Sequence, residues 1–75
     1  MKIYGYTKEG GKNLYELLEI SVQADATELR QLVRFIEHCA SCIEQDSDQE
    51  EWEHEHILDF CPDHVGPDVV VVRPE

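Results

Sequence analysis

The sequence predicts an α+β domain of order ββαββ, a four-stranded antiparallel sheet with one long helix packed on one face. Three observations predict it. Asp25 to about Gln45 carries apolar residues at helical spacing, two strand-like segments precede that stretch, and two more follow it. With 75 residues there is room for a single domain, 1–75, and one modest core. A chain of this size buries only about 60% of its unfolded surface, so self-association would help it.

The helix is the best-marked element. Leu29, Leu32, Val33, Ile36, Ala40 and Ile43 follow the i, i+3, i+4, i+7 rhythm of one face, with Glu28, Arg30, Gln31, Arg34, Glu37 and His38 elsewhere. Asp25 stands at the N-cap, and Glu28, three residues on, can reach back to complete a capping box. Before it, Lys2 to Thr7 is rich in aromatic and β-branched residues and reads as a strand. Gly10-Gly11 supplies a turn, and Leu14 to Gln23 reads as the returning strand. In that strand Leu18, Ile20, Val22 and Ala24 are expected to face the helix.

After the helix, Glu44 to Glu51 is all polar and predicts a loop or a frayed last turn. Trp52 to Phe60 alternates as a third strand, with Trp52, His54, His56, Leu58 and Phe60 on one side and Glu53, Glu55, Ile57 and Asp59 on the other, although its N-terminal half could equally continue as helix. Two prolines mark a turn at 61–68, and Val69 to Val72 is a strand of the buried type. A sheet order of 2-1-3-4 joins these segments without a long crossover. Its open face would display some of Tyr4, Tyr6, Tyr15, Leu17 and Trp52, as a binding surface, a dimer interface or a half-solvated face.

Charge narrows the partners. Seventeen acidic residues against six basic ones give a net charge of −11. Phosphate binding needs a basic footprint, so nucleic acid is not an expected partner, whereas a basic protein is. No stretch reads as a signal peptide or membrane span, and three cysteines point to reduced thiols in the cytoplasm.

Two groupings have metal-ligand character. Cys39-x-x-Cys42 with Cys61-x-x-His64 has the ligand count of a small zinc site, although the first pair lies within a helix, where thiols commonly serve as packing. His54-x-His56 puts two imidazoles on one side of a strand, flanked by Glu53 and Glu55, whose charges are expected to raise the histidine pKa values. No cofactor is expected. Nor is catalysis: Cys61 with His64 is the only thiol–base candidate, and the chain is electronegative where a thiolate needs positive surroundings.

The order of short motifs adds a resemblance. Tyr4-Gly5-Tyr6, Leu18-Glu19-Ile20, Ala24 to Arg30, Phe35-Ile36-x-x-Cys39-Ala40, His54-Glu55-His56 and Pro67 to Val71 resemble the bacterial immunity protein 32 family, small proteins of polymorphic-toxin and contact-dependent competition systems. The resemblance spans almost the whole chain. It implies a non-enzymatic cytoplasmic inhibitor that binds and neutralises a cognate toxin domain, such as a nuclease with a basic cleft. On that expectation Asp46, Asp48, Glu50, Glu51, Glu53 and Glu55 steer the approach and Trp52 is the buried anchor. The alternatives are a small zinc-binding domain using Cys39, Cys42, Cys61 and His64, and a homodimeric adaptor.

Overall fold

Asp25 begins the long helix as its spacing requires. Its side chain accepts from the Glu28 backbone N–H at 2.8 Å, and Glu28 accepts from the Asp25 N–H at 3.0 Å. This reciprocal capping box satisfies two of the free donors at the helix start. In the computed structural model, which describes residues 1–46 and 51–74, the elements are β1 (Tyr4–Gly5), β2 (Tyr15–Glu16), α1 (Ala26–Gln45), β3 (His54–His56), α2 (Ile57–Phe60) and β4 (Val70–Val72).

The architecture is α+β, with one long helix and two small antiparallel ladders. β1 pairs with β2, Tyr4 opposite Glu16 and Gly5 opposite Tyr15, and Leu17 N–H to Ile3 O at 2.7 Å extends the ladder by one rung. The chain turns between them through Gly10 and Gly11, at φ 90° and 103°, a region that disfavours any side chain with a Cβ. β3 pairs with β4, His54 opposite Val72 and His56 opposite Val70. Bonds from Ile57 N–H to Val69 O and from Arg73 N–H to Glu53 O continue that ladder at both ends. These are the 2-1 and 3-4 neighbours of the expected sheet; among the described residues no ladder joins β1 to β3.

Four expectations need correction. First, the inward face of α1 is turned from the one its apolar spacing suggests. Phe35 and Cys39 are buried, with Leu32 packed beside them, whereas Leu29, Val33 and Ile36 are 42%, 64% and 50% exposed. Phe35 has the most area to remove from water, and a helix that seats it turns Ile36, one residue on, about 100° away. Second, the returning strand ends soon after Glu16. Among the described residues Leu18 to Gln23 has no partner ladder, and Leu18, Ile20 and Val22 stay exposed rather than facing the helix. Alternation favours a strand only where another strand supplies hydrogen bonds.

Third, the segment from Trp52 to Phe60 is a strand only as far as His56. Ile57 N–H makes its last ladder bond to Val69 O, and Cys61 N–H then closes on Ile57 O at 2.7 Å, making one helical turn. That turn brings residues expected on opposite sides to one place: Ile57 is buried, and the Phe60 ring lies 5.8 Å from that of Phe35. Fourth, β4 is covered on one side only, with Val71 half-buried and Val70 and Val72 exposed.

The core is accordingly small: Phe35, Cys39 and Ile57, flanked by Leu32, Trp52, Val69 and Val71. The chain exposes 6728 Å², against about 4,700 Å² for a compact monomer of its mass. Its radius of gyration is 13.4 Å, against about 11 Å for 75 compact residues.

With so few buried side chains, each should weigh heavily. Phe35→Ala is expected to cost about 3–5 kcal/mol, a large part of the stability of a domain this size, while Val33→Ala should change stability by no more than about 0.5 kcal/mol. Urea denaturation of the two variants checks this; equal losses would mean that the buried helix face is misassigned.

Candidate functional site

One side-chain cluster combines three metal-ligating residue types at the junction of α1 with β3. His38 and Cys42 are four residues apart on the helix, so their side chains share a face one turn apart. Glu55 is the middle residue of β3 and points at the same place. Both Glu55 oxygens lie 3.0 Å from His38 Nε2, and Cys42 Sγ lies 3.7 Å from that nitrogen. Trp52 Nε1–H donates to Glu55 Oε1 at 3.3 Å, and the Phe60 ring sits 4.9 Å from the His38 ring. The Glu55 side chain is only 23% exposed, so its pairing is shielded from full solvent screening.

The expected partner-binding residues divide into three groups. Glu51 and Glu53 are exposed. Asp46, Trp52 and Glu55 are half-buried and occupied within the fold: Asp46 Oδ2 accepts from the Trp52 backbone N–H at 3.1 Å, Trp52 packs on the core, and Glu55 faces His38. Asp48 and Glu50 lie outside the described residues.

Cys39, Cys42, Cys61 and His64 are not drawn together as one ligand set. Cys39 is in the core, and burial, then the nearby Glu55 and Cys42, pushes its thiol up to about 11. Cys61 ends α2 and accepts from His64 N–H through its carbonyl at 3.0 Å, while the His64 Nε2 lies 2.8 Å from Pro67 O. All three cysteines are free thiols. Among the described residues the grouping with ligand geometry is His38, Cys42 and Glu55. The helical spacing His38-x-x-x-Cys42 was visible in the sequence; the third member depends on how β3 lies across α1.

His54 and His56 have ring centroids 5.4 Å apart, in keeping with their shared side of the strand. His56 has its pKa raised, but the cause differs from the one expected. It is the 2.6 Å contact of Nδ1 with Asp68 across the turn, supplemented by the charges of Asp68 and Asp59, rather than Glu53 or Glu55. Elsewhere, a cleft of about 40 Å³ lies between Ile43, Asp46, Trp52, Arg73 and Pro74, well below the several hundred Å³ of an ordinary small-molecule site. Tyr4, Tyr6, Tyr15 and Leu17 are all exposed on the first hairpin.

Comparison with known proteins gave no match: no family model matches the chain, and no curated protein or solved structure does so either.

Asp68→Asn should return the His56 titration, read by NMR from its ring protons, toward the ordinary value near 6.5. Because the folded-state pKa is the raised one, the ion pair stabilises fully below about pH 6.5 and its contribution is lost as pH rises through the folded value. Native Cys39 should resist alkylation at pH 8, since a thiol near 11 is thiolate in only about one molecule per thousand. Mass-spectrometric mapping should find Cys42 and Cys61 labelled first; equal labelling of Cys39 would count against the buried assignment.

Proposed function

We propose that this chain is a non-enzymatic protein-binding module that neutralises a cognate bacterial toxin domain in the cytoplasm. The observation that carries the reading is the apolar surface left open on the longest element. Leu29, Val33 and Ile36 form a line along α1, in a chain with about 2,000 Å² more exposed surface than its mass requires. Contiguous exposed apolar surface of that kind is characteristic of interaction sites. The net charge of −11 suits a basic partner surface, such as a cleft that grips phosphate.

In this reading the contact is centred differently from the acidic stretch alone. Leu29, Val33 and Ile36 are the apolar anchor, and Glu51 and Glu53 contribute to steering. Asp46, Trp52 and Glu55 support the fold beneath.

A second reading, a homodimer, is favoured by the same ridge. Ala26, Leu29, Val33, Ile36, Ala40 and Ile43 are spaced alternately three and four apart, the seam of a two-stranded coiled coil. In a two-fold antiparallel pairing that sets Val33 against Ile36 of the second copy, Leu29 meets Ala40 and Arg30 meets Glu37, twice over. Sliding by one heptad toward the helix end sets Glu37 against Glu37, so charge selects the first register.

The first reading expects a toxin gene beside the gene for this chain, and binding to the domain that gene encodes tests it. Val33→Glu with Ile36→Glu should weaken binding by about 30-fold or more, the scale of a central hot spot. The association rate should fall as salt rises from about 0.1 to 1 M, where the screening length shrinks from about 10 to 3 Å. Unchanged affinity in the double variant would sink the ridge as the contact. Sedimentation equilibrium separates the second reading: a dimer that Glu37→Arg breaks, and that adding Arg30→Glu restores, would establish self-pairing.

A further inference from the structure

The His38–Cys42–Glu55 cluster has no part in the binding surface proposed above, and its geometry is that of a ligand set. Zinc binds imidazole nitrogen and carboxylate oxygen at about 2.0–2.2 Å and thiolate sulfur at about 2.3 Å. A tetrahedron with those bonds has N···O edges of about 3.4 Å and N···S edges of about 3.6 Å. The corresponding distances here are 3.0 Å and 3.7 Å, and the ligand atoms all lie within 4.8 Å of one another. Shifts of a few tenths of an ångström on two edges, and at most about 1.2 Å on the sulfur–oxygen edge, would suffice.

A simple ion pair would account for His38 and Glu55 but leaves Cys42 without a role. The thiol sits 3.7 Å from the same imidazole nitrogen that faces the carboxylate, so nitrogen, oxygen and sulfur are grouped within 4.8 Å of one another. The surroundings also resemble a support for ligands. Trp52 Nε1–H holds one Glu55 oxygen, as outer hydrogen bonds commonly fix ligating carboxylates, and the Phe60 ring limits the swing of His38. All three residues are half-buried, accessible to an ion while partly shielded from water.

We infer that His38 Nε2, Cys42 Sγ and a Glu55 carboxylate oxygen form a zinc site that clamps α1 to β3, with water in the fourth position. On binding, Cys42 gives up its thiol proton and His38 presents an unprotonated Nε2, so protons leave to solvent as the ion enters. No redox step is involved. The clamp fastens the long helix to the second ladder in a domain whose apolar core is too small to do so strongly, and small domains commonly gain stability from such a staple. This set shares only Cys42 with the Cys39, Cys42, Cys61 and His64 grouping that sequence spacing suggests.

Cobalt(II) titration of the reduced, chelator-treated chain tests the site, because thiolate and tetrahedral geometry each have an absorption signature. The expected result is a thiolate-to-cobalt charge-transfer band together with intense visible d–d bands, all displaced by zinc, saturating at one equivalent. Cys42→Ser should abolish the charge-transfer band, and His38→Gln or Glu55→Gln should weaken binding at least 10-fold. Trp52→Phe should weaken it about 10- to 100-fold, as loss of an outer-shell partner does. Cys61→Ser and His64→Ala should leave the spectrum unchanged, and zinc should raise the melting temperature of the wild-type chain but not of Cys42→Ser. Absence of the charge-transfer band in the wild-type chain would overturn the inference without recourse to any variant. Its survival in Cys42→Ser, or its loss in Cys61→Ser or His64→Ala, would do the same.

Discussion

The packing of Phe35 and Cys39 against Ile57 is the contact on which the rest of the structure depends. It is where α1 meets the β3–α2–β4 unit, and these are the three most fully buried residues of the described chain. Ile57 can be there only because β3 stops at His56 and the backbone closes a helical turn through the Cys61 N–H bond to Ile57 O. The same turn brings Phe60 to Phe35. A short strand, a single turn and two aromatic rings thus produce one buried contact, with little apolar redundancy around it. The half-buried Leu32, Trp52, Val69 and Val71 can shield it but cannot replace it.

Polar contacts concentrate at the same junction. Asp46, just past the end of α1, holds the backbone of Trp52, while Glu55 takes hydrogen bonds from His38 and the Trp52 indole. An acidic residue just past a helix C-terminus is unfavourable toward the helix dipole, and no basic residue in the last turn compensates for it. The bond to Trp52 gives that carboxylate a structural use. Here three of the carboxyl and aromatic groups that look like an external binding surface in the linear chain are turned to internal work. Their charges still belong to the net −11 and still attract cations and basic surfaces from a distance, even where their atoms do not make the contact.

Much of the local structure was legible in the sequence because it rests on local chemistry. The capping box needs only Asp25 and Glu28 three positions apart, and the first turn needs only Gly10 and Gly11. Both are realised as their residues require. The α+β class and the antiparallel 2-1 and 3-4 neighbours were legible for the same reason, since hairpin partners lie close along the chain. What could not be read depends on competition between distant segments. Leu29, Val33 and Ile36 make as good a helical stripe as Leu32, Phe35 and Cys39, and only the position of Ile57 decides which turns inward. Alternation from Trp52 to Phe60 likewise gave no warning that Ile57 would leave the ladder. Of the candidate site, Cys42 was visible as a ligand, but its partners are His38, one helical turn away, and Glu55, read there as a steering charge.

The two halves of α1 therefore carry different burdens. Toward its C-terminal end the helix is tied down by Phe35, His38, Cys39 and Cys42, through apolar, hydrogen-bonded and thiol contacts. Toward its N-terminal end it is held by its own cap and exposes Leu29 and Val33. Stability and availability for a partner pull in opposite directions, since every apolar side chain kept for binding is one the core cannot use. A 75-residue chain has few to spare, so a fold that leaves an apolar ridge open must be held elsewhere by something other than hydrophobic area. The dense polar junction at Glu55 meets that need. It secures the helix at one end through groups that water would otherwise claim, while the other end keeps Leu29 and Val33 exposed.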